Sequence, residues 1–249
     1  MPRRPSVTRR WMTAATWPVG VSLTAWDYMW RTTVMHRSEV IERDPSPHLP
    51  APYPASVDAS EVQSVGDGVG PLFHRRYRAR IKDATVGPDE LIEMVKRDLN
   101  AAAPTRFARF QRVLGDGELL DVGDEYVVRM PGPWDGPVRV IAQTTRRFRL
   151  ATLDGHLEAG QIEFRASAVE PAEPADADAD DALRFTIESW AQSGDRFSNL
   201  LYHRIGMSKE VQLHMWISFL EGVAKLSGGT IDSGGIEIDT HRVDLPTPL

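Results

Sequence analysis

The hydrophobic and polar positions divide the chain into a β-rich centre and a long closing helix. Along seven segments apolar residues alternate with polar ones, which is the period-two pattern of half-buried strands. Turn residues, such as Asp154-Gly155, separate several of these segments, so the pattern predicts antiparallel strands with short connections. The segments are LFHRRYRARI from Leu72, RFARFQRVL, DEYVVRM, GPVRVIAQTT, RFRLATL, GQIEFRASAV and LRFTIESWAQ.

Two helices are predicted from apolar spacing of three and four residues. The first lies in TVGPDELIEMVKRDLNAAAP, where Thr85 or Gly87 can cap the start and Pro104 ends the segment. The second runs from Ser208 to Leu226 and is closed by two glycines. It has two apolar stripes, so it must be covered on more than one side. The stripes are Val211, Met215, Phe219 and Gly222, and Leu213, Trp216, Ile217, Leu220 and Ala224.

This order of elements predicts an α+β fold of the helix-grip kind. A curved seven-stranded antiparallel sheet would wrap around the long C-terminal helix, over residues 72–229. Such a layout readily leaves a ligand cavity between sheet and helix. The last segment, residues 230–249, is predicted to be a tail in which GGIEIDTHRV is a candidate edge strand.

The first 44 residues are predicted to form a basic, tryptophan-rich helical arm. Residues 1–37 carry a charge of +5 in a chain of net charge −6, so the remainder carries −11. The segment from Trp11 to Trp30 has one charge in twenty residues and favours an interfacial or docked helix. A membrane span, a signal segment and an ordinary packed helix are the alternatives. The residues predicted to contact a membrane or partner are Arg9, Arg10, Trp11, Trp17, Trp26 and Trp30.

The composition of the chain limits the kinds of site and reaction that it can support. The chain has no cysteine, which excludes disulfides and thiolate catalysis and suits a cytoplasmic protein, peripheral at a membrane in one interpretation. Residues 45–71 are rich in proline and glycine and predict a linker or a strap lying on the body. The acidic body argues against nucleic acid. No metal-ligand spacing or cofactor motif occurs, so neither a metal nor a cofactor is predicted.

Candidate site residues concentrate in TLDGHLEAGQIEF, from Thr152 to Phe164. His156 and Glu158 lie two apart at a hairpin, where they would hydrogen-bond the loop, contact a ligand at a cavity mouth, or act as acid and base. Trp134, on a stiff Pro-Gly turn, would cover a pocket or pack on the end of the sheet. The remaining predicted ligand contacts are on the closing helix, namely His214, Met215 and Phe219.

Several segments resemble a known family. VGDEYVVRMPGPWDGPVRV, FRLATLDGHLEAGQIEF, FTIESWAQSGD and the closing helix are similar to the bacterial and plant domain-of-unknown-function family DUF1990. Thr152, Gly155, His156 and Gly160 match its Thr-Leu…Gly-His…Gly core, and the N-terminal SLTAWDYMWRTTVMHR resembles the longer actinobacterial members. Leu157 replaces a frequent proline, and Gln161 and Ile162 replace frequent acids. The resemblance implies no reaction. The order of the predicted strands indicates similarity to the START and Bet v 1 lipid-binding folds.

The favoured functional interpretation is a protein that binds a hydrophobic or lipid-like small molecule, with the N-terminal arm at a membrane or partner surface. One alternative is an enzyme of the same fold that uses His156 and Glu158 on a hydrophobic substrate. Another is an assembly subunit, either homo-oligomeric or bound to a partner through the N-terminal helix and the C-terminal strand.

Removal of residues 1–37 separates two of these interpretations. If the arm contacts lipid through its arginines and tryptophans, the truncated protein should lose sedimentation with anionic liposomes and keep its mass in solution. If the arm mediates assembly, the mass measured by light scattering should change instead. Unchanged values in both measurements would contradict any role of the arm in either contact.

Overall fold

The computed structural model describes residues 33–106, 108–130, 135–169, 182–194 and 207–245. Within these residues, nine strands and three helices follow one another, with short 3-10 turns at Ser46–His48, Ala59–Glu61 and Val65–Asp67. The strands are β1 (Met35–Glu42), β2 (Val69–Lys82), β3 (Arg109–Leu114), β4 (Glu125–Arg129), β5 (Asp135–Thr144), β6 (Arg147–Thr152), β7 (Glu158–Ala168), β8 (Leu183–Ser193) and β9 (Thr230–Val243). The helices are α1 (Pro88–Arg97), α2 (Leu99–Ala102) and α3 (Met207–Leu226).

All nine strands form one sheet, in the order β1-β9-β2-β8-β7-β6-β5-β4-β3. From β3 to β8 consecutive strands are neighbours, as expected for antiparallel hairpins. Strand β2 closes against β8, and β9 is inserted between β2 and β1. Because β1 pairs with β9 in the parallel direction, the sheet is mixed.

Alternation in the strands gives the sheet an inner face, which packs against α3, and an outer face. In β2, Tyr77, Ala79 and Ile81 are buried on the inner face within the main core. The register sets Tyr77 beside Ile187 of β8 and Ile238 of β9, which continues the apolar surface across three strands. The intervening arginines therefore point to the outer face, as the period-two pattern requires.

Helix α3 is buried around most of its circumference. Ile217, Phe219, Leu220 and Val223 have no exposed surface. Phe219 packs against Phe164 of the sheet with ring centroids 5.3 Å apart. This confirms the inference from the two apolar stripes that the helix is covered on more than one side.

The second cover of α3 comes from α1 and α2. Pro88 is at the first turn of α1 and the acidic Asp89 and Glu90 follow it, which suits the positive helix terminus. The chain breaks at Asp98, whose side chain caps α2 through Asn100 N–H. Gly222 of α3 lies so close to α2 that a Cβ there would be 2.1 Å from the Ala102 carbonyl oxygen. Helix α3 is therefore held between the sheet and α2 by a contact that only glycine permits.

Residues 45–64, here called the strap, pack on the outer face of the sheet. Val62 is buried against Ile141 and Ala151, with Tyr53 and Val57 beside them. The strap also extends the sheet's hydrogen bonding, because Gln63 N–H donates to the Thr152 carbonyl at 2.7 Å. The predicted linker is thus a built part of the domain.

Three predictions about architecture need correction. The sheet has nine strands and is mixed, where seven antiparallel strands were predicted. The arm predicted to be helical through residue 44 contains β1, because Met35–Glu42 finds a parallel partner in β9. The C-terminal run is a full strand, yet it is not an edge, since β1 covers it. Residues 1–32 lie outside the described residues.

Within the described part of the chain, no helix combines the length and the apolar character needed to cross a membrane.

The Gly222 contact gives a test of the packing. Gly222→Ala gains about 1 kcal/mol of helix propensity, but the clash with α2 should outweigh it, with a net loss of roughly 1–2 kcal/mol in the free energy of unfolding. Urea denaturation measures this. Gly66→Ala is the matched control, because nothing lies within 4 Å of a Cβ at Gly66. Equal stability of the two variants would contradict the close packing of α2 on α3.

Candidate functional site

The hairpin between β6 and β7 holds His156 by local contacts. Nδ1 of His156 lies 2.9 Å from the Glu158 backbone nitrogen and accepts its N–H. Its Nε2 faces Gly136 of β5, where a Cβ would lie 3.0 Å from it. Nδ1 is therefore directed at the backbone of Glu158, and the Nε2 side of the ring packs against Gly136. This geometry gives His156 the role of bracing the turn, one of the roles considered for it.

The protonation of His156 fits that role. Burial lowers the pKa of His156 to about 4, and the Glu158 carbonyl oxygen, 3.0 Å from Nδ1, opposes this only in part because it favours a protonated ring. At neutral pH the ring is uncharged, which lets Nδ1 accept the Glu158 N–H.

The family-like residues Thr152 and Gly160 join the same hairpin to the strap. The Thr152 hydroxyl accepts the Gly160 N–H at 2.9 Å and lies 3.0 Å from the Gln63 carbonyl. Gly160 has φ 155°, and a Cβ there would lie 1.8 Å from the Trp190 carbonyl oxygen. Only glycine fits at this close approach of β7 to β8, so this part of the motif has a structural explanation.

Glu158 behaves differently, because its side chain lies on the inner face and reaches α3. Gln212 Nε2 donates to Glu158 Oε2 at 2.6 Å. Arg75 of β2 donates through Nη1 to Gln212 Oε1 at 2.9 Å. These three residues, here called the inner polar chain, connect β2, α3 and β7 across the inner face. Arg75 is only 5% exposed, so a cation is buried at the polar end of the inner face.

The inward side chains of β8 become smaller beside the inner polar chain. Along β8 the inward residues are Phe185 and Ile187 deep in the core, followed by Ser189, Ala191 and Ser193. Gly160 of β7 pairs with Ala191 in the sheet register. Along β8, large side chains therefore give way to small ones beneath the N-terminal half of α3, and Phe73 of β2 and Ile162 of β7 flank these small residues.

The residues of α3 that were predicted to contact a ligand, namely His214, Met215 and Phe219, are all buried. Phe219 is fully buried in an aromatic cluster with Phe164 and Trp216, so protein side chains occupy its surroundings. Met215 and His214 are 7% and 3% exposed, and Met215 belongs to the main core. Trp134 and the N-terminal candidates Arg9, Arg10, Trp11, Trp17, Trp26 and Trp30 lie outside the described residues.

Arg75 and Gln212 are functional candidates that the sequence interpretation did not select. A signal existed for Arg75, because period two places it on the same face as Phe73 and Tyr77. Gln212 offered none, since only the fold brings it opposite Arg75. On the outer face, Glu188 accepts from His74 Nε2 at 2.8 Å and from Arg76 Nη2 at 2.6 Å. Burial alone would raise the pKa of Glu188, but these two partners lower it to about 2.

The fold and the site define the class: an α+β domain whose mixed sheet packs its inner face on one long helix, with polar groups gathered at one end. The chain belongs to the family described as Domain of unknown function (DUF1990), whose match covers residues 58–216. The predicted family is thereby confirmed. No curated protein matches the chain.

Distant similarity to solved structures accompanies the family match. Norcoclaurine synthase from Thalictrum flavum has 13% identity and a TM-score of 0.43, over 64% of this chain and 87% of that chain. A hypothetical protein from Helicobacter pylori has 10% identity and a TM-score of 0.42, over 61% and 86%. A Thermobifida fusca protein has 11% identity and a TM-score of 0.41, over 62% and 93%. These similarities are too distant to transfer a ligand or a reaction.

The lowered pKa of His156 predicts a pH dependence of stability. Between about pH 6.5 and pH 4 the unfolded chain binds a proton that the folded chain does not, so stability falls as the pH falls through this window. The loss at pH 4 relative to pH 7 is at most about 3 kcal/mol.

His156→Asn should flatten this part of the profile, because the amide oxygen can accept the Glu158 N–H and does not titrate. Denaturation at a series of pH values measures the difference between variant and wild type. His36→Asn, at an exposed position of β1, is the control and should keep the wild-type slope. Identical pH profiles for the His156 variant and wild type would show that the ring is not buried as described.

Proposed function

We propose that this domain binds a hydrophobic or lipid-like small molecule between the inner face of the sheet and the N-terminal half of α3. In this proposal the domain is a helix-grip binding module. The observation that carries the proposal is the inner polar chain, Arg75–Gln212–Glu158, set beside small side chains on an apolar face.

The first support is energetic. Removing a guanidinium from water is costly, and a protein retains one on an apolar face only where it is held by polar partners. The partner of Arg75 on α3 is the neutral amide oxygen of Gln212, and this amide in turn donates to the Glu158 carboxylate. A cation and an anion are thus bridged by an uncharged group that a ligand's polar end can replace.

The second support is spatial. Ligand pockets combine apolar walls with a few converging polar groups. Ser189, Ala191 and Gly160 carry little side-chain volume under this part of α3, and Phe73 and Ile162 stand beside them as apolar walls. Deeper in the interior the space is filled by Phe148, Phe164 and Phe185. The ligand in this proposal has an apolar body over the small residues and an acceptor end, such as a carboxylate, at Arg75.

The acid–base alternative receives no support from the hairpin. His156 uses Nδ1 on the backbone of Glu158, while the Glu158 carboxylate is directed to Gln212 on α3. The His156 ring therefore contacts the backbone of the hairpin, whereas the Glu158 carboxylate contacts α3. The binding interpretation uses Glu158 and leaves His156 as a brace.

Gentle purification followed by native mass spectrometry, together with titration of a fluorescent fatty acid, tests the proposal. Wild-type protein should carry a small apolar molecule or bind the fatty acid saturably. Arg75→Gln should weaken fatty-acid binding by roughly ten-fold or more, because a charge-assisted hydrogen bond is lost. Binding of the corresponding fatty alcohol should change much less.

Arg165→Gln is the matched control, since Arg165 is exposed on β7. Ala191→Trp is a second variant that should block binding by filling the space while keeping the Arg75 contact. Absence of any bound molecule and of saturable fatty-acid binding by wild type would refute the proposal. Wild-type affinity in the Ala191→Trp variant would place the ligand elsewhere.

A further inference from the structure

A cluster of histidines lies on the outer face of the sheet, opposite the proposed ligand site. His74 of β2 and His241 of β9 are directly paired in the sheet register. His48, in the 3-10 turn that opens the strap, covers both, with ring centroids 4.4 Å from His241 and 5.4 Å from His74. Glu42 ends β1 beside His241. Three regions distant in sequence, namely residues 42–48, His74 and His241, thus contribute to this cluster.

Three members of this cluster have the spacing of metal ligands. Glu42, His48 and His241 each offer one ligand atom, and these atoms all lie within 4.8 Å of one another. The Nδ1 of His241 is 3.5 Å from Glu42 Oε1. In a tetrahedral zinc centre with Zn–N distances of about 2.0–2.1 Å, neighbouring ligand atoms lie about 3.3 Å apart. Small side-chain rotations would therefore complete the geometry.

Hydrogen bonds leave the required lone pair on His48. The Glu188 carboxylate accepts from His74 Nε2 at 2.8 Å, so with a neutral ring the Nδ1 of His74 is an acceptor. The Nδ1 of His48 lies 3.1 Å from it and donates to it. Nε2 of His48 is then unprotonated. In metal sites a carboxylate commonly accepts a hydrogen bond from a ligating histidine and so orients its ring. Here the Glu188 carboxylate orients His74, and His74 in turn orients the proposed ligand His48.

His241 supplies an independent observation. Its Nδ1 is buried and forms no hydrogen bond among the described residues, although Glu42 Oε1 lies 3.5 Å away. Buried ring nitrogens are normally paired, and an unpaired one costs free energy. A metal ion between His241 and Glu42 would satisfy this nitrogen.

We propose that Glu42, His48 and His241 bind one divalent transition-metal ion, of which zinc is the best fit. Two imidazoles and one carboxylate are ligands that Zn²⁺ takes, with a fourth position for water. Magnesium is disfavoured, since it prefers oxygen ligands. All three ligands lie outside the family match of residues 58–216. The ion would tie β1 and the start of the strap to β9, and so join the N-terminal region to the C-terminal strand.

Calorimetric titration of tag-free, chelator-stripped full-length protein with ZnCl₂ tests this proposal. Wild type should bind one Zn²⁺ per chain saturably, and its melting temperature should rise with ZnCl₂ but not with MgCl₂. His241→Gln and Glu42→Gln should each weaken zinc binding by at least roughly ten-fold. His36→Gln, on the exposed side of β1, should leave it unchanged.

Co²⁺ absorption of the wild-type protein provides a measurement that needs no variant, since a four-coordinate site gives intense visible bands. The proposal is overturned if wild type shows neither saturable Zn²⁺ binding nor these bands. It is also overturned if well-folded His241→Gln binds Zn²⁺ as tightly as His36→Gln does. Circular dichroism establishes that the variants are folded.

Discussion

The rest of the structure depends on covering α3, a helix that is apolar on nearly every side. Water must be kept from Leu213 through Ala224, and no single surface can do this. The sheet supplies one cover through its inner face, and α1 and α2 supply another. Gly222 sets how closely the second cover approaches, because the α2 backbone occupies the place of a side chain. The hydrophobic effect thus determines the layers, and one glycine determines their spacing.

The sheet carries a different polar cluster on each of its two faces. His74 and Arg75 are neighbours in β2, yet successive strand residues point in opposite directions. Arg75 joins Gln212 and Glu158 on the inner face, and His74 joins His48, His241 and Glu188 on the outer face. His48 of the strap and Glu42 of β1 contribute to the outer cluster alone. The inner site is formed within the family domain, and the outer one requires both terminal regions.

Most of the β-rich centre could be predicted from the sequence, because its strands have clear alternation. Strands β2 to β8 and the closing helix lie where periodicity places them, within a few residues. Strand β1 could not be predicted in this way. Six of its eight residues are exposed, so MHRSEVIE has no apolar period. It is a strand because β9 offers a parallel hydrogen-bonding edge, which is a long-range condition that local pattern does not contain.

The sequence by itself determined which segments are apolar on one face, where turns must occur and which residues carry chemistry in the 152–164 hairpin. Only the tertiary structure decided how those residues are used. His156 and Glu158 are two apart, but one is directed to backbone and the other to α3. The partners of Glu158 are remote in sequence, and so are those of His241. Spacing along the chain reflects only local periodicity. A site forms where segments distant in sequence come together, and burial of the core and the order of the strands determine where that is.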